Sequence, residues 1–368
     1  MRITDISISQ HRLPLDPAFN AAWDGRPRTQ FDATIVRVGC DNGMVGIGSG
    51  DLMVGFAGHE ELFIGRDPRD LERHWRVLDN IAFHYGRCWP LDCALWDLAA
   101  KIDGQPLYRR LGGAENSVRA YASTGTLRSP EETADVAERL LAQGFGAMKI
   151  RFHRPDWRDD VKAIEQVRAR VEDRIEVMVD CNQGWRMPWD TEDPWDVEAA
   201  LEVGRVLEAL GVYWMEEPLH RGDYAGMARL RRELEIRIGG AEMTRELHEL
   251  ETLIERGCLD VMQADAVLTG GIGGLARIAR KAKTAGVTFS PHTWTNGVGV
   301  LANAHLAAAF GPPPWLEFPY DPPEWTPARR DYMLKAPLEA ADGWIVLPDA
   351  PGLGIELDEE RLAETRIG

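Results

Sequence analysis

Eight short runs of β-branched, aromatic and other apolar residues fill the chain from Val118 onward: VRAYAST, GAMKIRF, IEVMVDCN, VYWMEEP, RIGGAE, DVMQAD, VTFSPH and WLEFP. Runs this apolar suit strands covered on both faces, the condition of a parallel sheet. Helical stretches such as residues 159–171 and 195–210 separate them, although the helix after GAEMT is less marked. The pattern predicts a (β/α)8 barrel of the TIM type, closed on itself, which takes about 250 residues. The 368-residue chain leaves room for a smaller second domain. Several runs end on a side chain able to do chemistry: Asp180 and Asn182, Glu216, Glu242, Asp265, His292 and Glu317. Parallel barrel strands deliver their C-terminal ends to one face, so these side chains are expected to meet at one mouth.

The first 115 residues read differently. ITDISISQHRL and the later FDATIVRVGCDNGMVGIGSG alternate like antiparallel strands, with Asp41-Asn42-Gly43 as a hairpin turn. A polar loop over residues 16–30 carries Trp23, Arg26 and Arg28, and helices are expected over 68–80 and 90–111. The expected organisation is an α+β capping domain (1–115), the barrel (116–325) and a turn-rich C-terminal segment (326–368) packing back on the cap. An open doubly wound sheet competes, but its first βα unit lacks a glycine-rich phosphate loop.

A net charge of −17 argues against binding a nucleic-acid backbone. Five scattered cysteines without CxxC spacing suit a reducing compartment. The N-terminus lacks signal-peptide character, and no apolar run approaches the roughly 18 residues of a membrane span, so a cytoplasmic location is expected.

Asp180, Glu216 and Glu242 end successive strands, and three carboxylates meeting in one place require a cation. All-oxygen ligands of high charge suit Mg²⁺. Each acid alone would equally serve as a cap for the next helix; three in succession favour the metal. Because strand residues alternate in direction, only one of Glu216 and Glu217 is expected to face the mouth. Asp265 and His292 end neighbouring strands, where a carboxylate fixes an imidazole's tautomer and frees its other nitrogen for proton transfer. Lys149 and Arg151, two apart on one strand, would place positive charge opposite a carboxylate substrate. Arg151 is expected to depress the Lys149 pKa, which opens a role for the lysine as a base; salt bridges to the site acids are the plainer alternative. Glu317, if protonated, would donate a hydrogen bond to a substrate oxygen. Trp23 and Trp294 are expected either to wall the pocket or to pack in the interior, and Arg26 and Arg28 either to lie on the exposed surface or to meet a distal carboxylate. The set suits abstraction of a proton α to a carboxylate, where concentrated positive charge stabilises the enediolate.

LDCALWDLAAKIDGQPLYRRLGG, VMVDCNQGW, WMEEP, GGAE, MQADAVLTGGIGG, SPHTW and PDAPGLGIEL together resemble the mandelate racemase and muconate lactonizing group of the enolase superfamily over nearly the whole chain. The resemblance implies Asp180, Glu216 and Glu242 as Mg²⁺ ligands, Asp265–His292 as the catalytic dyad and Glu317 as the acid stabilising the enediolate. It also implies a homo-oligomer, dimer or octamer. Racemising members usually carry Lys-x-Lys where this chain has Lys149 and Arg151, and a guanidinium is a poor base. Dehydration of a sugar acid to a 2-keto-3-deoxy acid is therefore the expected reaction. An epimerase or lactone cycloisomerase is the alternative within the group, and a non-catalytic metal-binding module the alternative outside it.

Overall fold

A computed structural model describes all 368 residues. Three antiparallel strands, β1 (Ile3–Phe19), β2 (Arg28–Cys40) and β3 (Val45–Gly50), open the chain, with β2 and β3 joined through the expected turn at Gly43. The predicted loop over 16–30 is shorter in the fold, because β1 continues to Phe19 and β2 begins at Arg28. Only residues 20–27 connect them.

The helix Trp89–Ile102 lies directly on β3. A Cβ at Gly46 would stand 2.1 Å from the Ala94 carbonyl oxygen, and one at Gly48 would stand 2.0 Å from that of Pro90. Only glycines permit this backbone-to-backbone approach. The single helix expected over 90–111 is two, Trp89–Ile102 and Leu107–Arg110. Gly104 turns left-handed (φ 65°) and Pro106 precedes the second helix without an N–H to continue the first.

The eight predicted runs all form strands: β4 (Ser117–Ser123), β5 (Ala147–Arg151), β6 (Glu176–Asp180), β7 (Trp214–Glu216), β8 (Arg237–Gly240), β9 (Val261–Met262), β10 (Thr288–Phe289) and β11 (Leu316–Pro319). They pair in parallel from β10 back to β4 and then to β11, with helices between. The expected barrel forms, with a seam between β10 and β11 where no backbone pairing runs. Side chains bridge it: Ser290 Oγ donates to the Trp315 carbonyl at 2.6 Å, and Thr293 Oγ1 to the Glu317 carbonyl at 2.8 Å. The C-terminal segment ties both units together. Its strand β12 (Trp344–Val346) adds antiparallel to β4, while Ile367 N donates to the Gln10 carbonyl on β1 at 2.8 Å. No helix is long and apolar enough to cross a membrane.

Asp92, on the buried helix, is fully enclosed. Burial pushes its pKa up to about 7, against the pull of the Gly273 and Ile272 N–H groups and Arg277. An unfolded Asp titrates near ~3.9, so between about pH 4 and 7 the folded state holds the extra proton and this group's contribution to stability falls as pH rises. Asp92→Asn is therefore expected to gain stability over the parent at pH 8 relative to pH 5, by about 2 kcal/mol. Urea midpoints at the two pH values measure it; an equal shift at both would refute the assignment.

Candidate active site

The register of the barrel builds the site. Arg151 on β5 pairs with Asp180 on β6, and Asp180 with Glu216 on β7, so one rung carries a cation and two acids. Glu242 follows β8 by two residues. Asn182, Glu217 and Ala241, one just past each of these three strand ends, adopt left-handed backbone (φ 51°, 46° and 87°). Such conformations cost about 1–3 kcal/mol each and concentrate at functional turns. One oxygen from each of Asp180, Glu216 and Glu242 can lie within 4.8 Å of the others, and all three residues are buried. Glu217 points elsewhere: its carboxylate packs on Gly184, where a Cβ would stand 2.4 Å from its carboxyl carbon.

Two cations meet these acids. Lys149 Nζ stands 2.6 Å from Glu216, 2.7 Å from Glu317 and 3.7 Å from Asp180. Arg151 pairs with Asp180 and donates to the Thr124 carbonyl at 3.0 Å and Ser123 Oγ at 3.2 Å. Its guanidinium also lies over the Trp23 ring, 4.6 Å from the centroid. Lys149 makes the salt bridges to the site acids that were the plainer alternative to its being made a base by Arg151. Burial and Arg151 lower the lysine pKa, but Glu216 and Glu317 outweigh them and raise it above the ordinary value. Glu317 is shifted toward its ionised form. Burial would raise its pKa, yet Lys149, His292 and Arg151 hold it well below the usual range. Its oxygens accept from Ser123 Oγ (2.8 Å) and Thr293 N (2.8 Å).

His292 Nδ1 lies 3.0 Å from Asp265 Oδ2, and its Nε2 faces Glu242 at 3.7 Å. Asp265 is itself fixed: its Oδ1 accepts from Val267 N (2.9 Å) and Asn303 Nδ2 (2.8 Å). Burial alone would lower the imidazole pKa; Glu242, Glu317 and Asp265 raise it instead, to about 10. That value belongs to a site holding five carboxylates, Asp180, Glu216, Glu242, Asp265 and Glu317, against the two fixed cations Lys149 and Arg151.

Above the mouth lies a cavity of about 800 Å³ between the capping domain and the barrel. Arg151, Glu242 and His292 reach its wall, as do Trp23, Trp294, Arg26 and Arg28. Trp294 stacks against Phe19 and Trp325, at 5.7 Å from each ring, and those two rings are themselves 5.1 Å apart. The two loop arginines differ. Arg28 pairs with Asp24 at 3.3 Å, whereas Arg26 has no carboxylate partner and stacks over Trp189 at 4.1 Å. Asn182 is buried below this wall, both side-chain polar atoms lacking a protein partner. Sequence reasoning gave no role to Ser123, Trp185 or Asn303. Trp185 Nε1 donates to Glu242 Oε1 at 2.8 Å, and Ser123 joins Arg151, Glu317 and Trp294. Trp185 stood within a noted motif and Ser123 within the VRAYAST run, where it ends β4; Asn303 carries no such signal.

The donor set fits a hard divalent cation. Glu242 Oε2 is a buried acceptor without a donor, and burial with the surrounding acids raises the Glu216 pKa. Both features are relieved by positive charge among the three carboxylates.

Residues 4–112 match the mandelate racemase/muconate lactonizing enzyme N-terminal domain, and residues 132–361 match the enolase C-terminal domain-like family. The chain belongs to the mandelate racemase/muconate lactonizing enzyme group of the enolase superfamily. This superfamily member is 31% identical to the D-galactarolactone cycloisomerase of Agrobacterium fabrum over 398 aligned positions, covering 100% of this chain and 99% of that protein. It is 30% identical to the arabinonate dehydratase of Saccharolobus solfataricus over 304, covering 80% and 77%. The structure of L-talarate dehydratase from Polaromonas sp. JS666, complexed with Mg and L-glucarate, superposes with a TM-score of 0.83 at 27% identity, covering 100% of this chain and 98% of that one. Its relatives are thus enzymes, both lyases and isomerases.

Proposed function

We propose that this enzyme dehydrates a sugar acid, an aldonate or aldarate, to a 2-keto-3-deoxy acid with Mg²⁺ held by Asp180, Glu216 and Glu242. The observation that carries the reading is asymmetry at the cavity floor. One side offers an imidazole backed by Asp265; the other offers Arg151, a guanidinium that keeps its proton. Bound among the three acids, the ion would supply positive charge that stabilises the carboxylate of the substrate as its α-carbon loses a proton. It would also weaken the negative field on His292 and bring the imidazole pKa down from about 10 toward the range of a working base.

His292 Nε2 takes the α-proton while Arg151 and Lys149 add fixed positive charge. The bond from the β-carbon to its hydroxyl then breaks, and His292 returns its proton to the departing oxygen, releasing water. The resulting enol becomes the 2-keto acid. One base on one face suffices for this elimination, whereas racemisation by two bases has no second acceptor. A lactone cycloisomerase also needs a single base and is the second reading, favoured by the full-length match to D-galactarolactone cycloisomerase.

The test is a library of mono- and diacid sugars incubated with the Mg²⁺-loaded protein in D₂O. Formation of a 2-keto acid that stops with EDTA is the expected result. Deuterium at the α-carbon without keto acid would transfer the assignment to an isomerase. The unpaired Arg26 is the group proposed to meet the distal carboxylate of a diacid. Arg26→Ala is expected to raise KM for aldarates about tenfold, the value of one charge-assisted hydrogen bond, with aldonates unaffected. Equal changes for both substrate classes would remove Arg26 from that role.

A further inference from the structure

The helix Trp89–Ile102 carries two buried carboxylates that the chemistry above does not use. Asp97 stays within the cap and tail, accepting from Ile47 N and Leu353 N at 2.7 Å each and pairing with Lys101 at 2.6 Å. Asp92 instead reaches the barrel. Its Oδ2 accepts from Gly273 N at 3.2 Å, in the first turn of the helix Gly271–Thr284. The approach needs the left-handed Gly271, since a Cβ there would stand 2.3 Å from that oxygen.

Two more capping-domain groups hold the same segment. Trp75 Nε1 donates to the Gly270 carbonyl at 2.7 Å, and Arg87 donates to that of Leu268 at 3.1 Å. Immediately before it, residues 265–269 are wound on Asp265 itself. Leu268 N and Thr269 N donate to the Asp265 carbonyl at 3.1 and 2.8 Å, and Val267 N donates to its side chain at 2.9 Å. The first amides of a helix have no partners within it, and a carboxyl group placed there is favoured by the helix dipole.

We infer that Asp92 is a positioning residue: acting across the domain boundary on the start of helix Gly271–Thr284, it fixes the turn that aims Asp265 at His292. The inference rests on His292 being the base. Docking of the cap thus orients the proton-transfer pair as well as covering the substrate, and displacements of about 0.5 Å at such a pair are enough to lower turnover.

Asp92→Ala, Asp92→Asn and Asp97→Ala, each in the full Mg²⁺-loaded chain, test it through kcat, KM and amide hydrogen exchange over residues 267–273. Asp92→Ala is expected to lower kcat about tenfold or more with KM nearly unchanged, and to speed exchange at 267–273 at least about tenfold. Asp92→Asn retains an acceptor and should recover kcat to within about threefold. Asp97→Ala should lower the unfolding temperature without altering either readout in folded protein. In an Asp265→Asn background, Asp92→Ala should cost little more, because both act through one contact. Additive losses, or equal kcat losses for Asp92→Ala and Asp97→Ala, overturn the inference. If Asp92→Ala does not fold, Trp75→Phe removes the Gly270 bond and is expected to speed the same exchange and lower kcat.

Exchange requires no substrate, which separates this inference from the reaction assigned above. Unchanged exchange at 267–273 in Asp92→Ala overturns the link whatever the enzyme turns over. Faster exchange in a protein whose parent ignores every sugar acid would sink the dehydratase reading and support the link.

Discussion

His292→Asn is expected to lower kcat by about 10³-fold or more and to abolish α-deuterium exchange, while Mg²⁺ still binds. The asparagine fills similar space and still offers a polar atom toward Asp265, but it cannot accept and return a proton at pH 7. No other group is equipped to replace it. Lys149 sits beneath the cavity wall, salt-bridged to Glu216 and Glu317, and Arg151 keeps its proton. Metal binding should survive because Asp180, Glu216 and Glu242 are untouched, and Glu242 keeps its Trp185 hydrogen bond. Titration of Mg²⁺ by calorimetry, beside exchange followed by NMR, distinguishes a lost base from a lost metal. Exchange that persists in His292→Asn would mean that another group removes the proton, and the asymmetry argument would fail.

Most of the site was readable because parallel strands convert sequence position into spatial position. A strand's C-terminal end lies at the barrel mouth wherever it falls in the chain. Asp180 and Glu216 end β6 and β7, Glu242, Asp265 and His292 follow β8, β9 and β10 by two or three residues, and Glu317 lies inside β11. What escaped depends on partners distant in sequence. Ser123 gains its importance only when Arg151, Glu317 and Trp294 converge on its hydroxyl, and Asn303 only when its helix lays the amide against Asp265. The balance of charge at Lys149 has the same origin. In sequence its nearest charged neighbour toward the mouth is Arg151; in space Glu216 and Glu317 lie closer and reverse the shift. The seam between β10 and β11 escaped for another reason. Strands β9 and β10 extend for only two residues each, although the apolar runs that hold them are longer. The split helix was more legible, since Gly104 and Pro106 together are a stop signal that outweighs apolar periodicity on either side.

Lys149→Met should destabilise the metal-free protein by about 3–5 kcal/mol, the usual cost of leaving buried charge without its partner. The ammonium is fully enclosed and lies within 2.7 Å of both Glu216 and Glu317, so its removal leaves acids that water cannot reach. A divalent cation among Asp180, Glu216 and Glu242 compensates part of that charge. Mg²⁺ is therefore expected to stabilise the variant more than the parent: one positive competitor for the carboxylates has gone, so the variant should bind the ion more tightly, and stabilisation grows as the logarithm of ligand concentration over Kd. Denaturation midpoints in EDTA and in excess Mg²⁺ give the two differences directly. Catalysis should still be lost, since restored folding does not restore the charge beside the substrate carboxylate. An Mg²⁺ shift no larger in the variant than in the parent would show that the ion, if it binds, lies outside the field of Lys149. In that case the three carboxylates would have to be read as an internal salt-bridge network completed by Lys149 and Arg151.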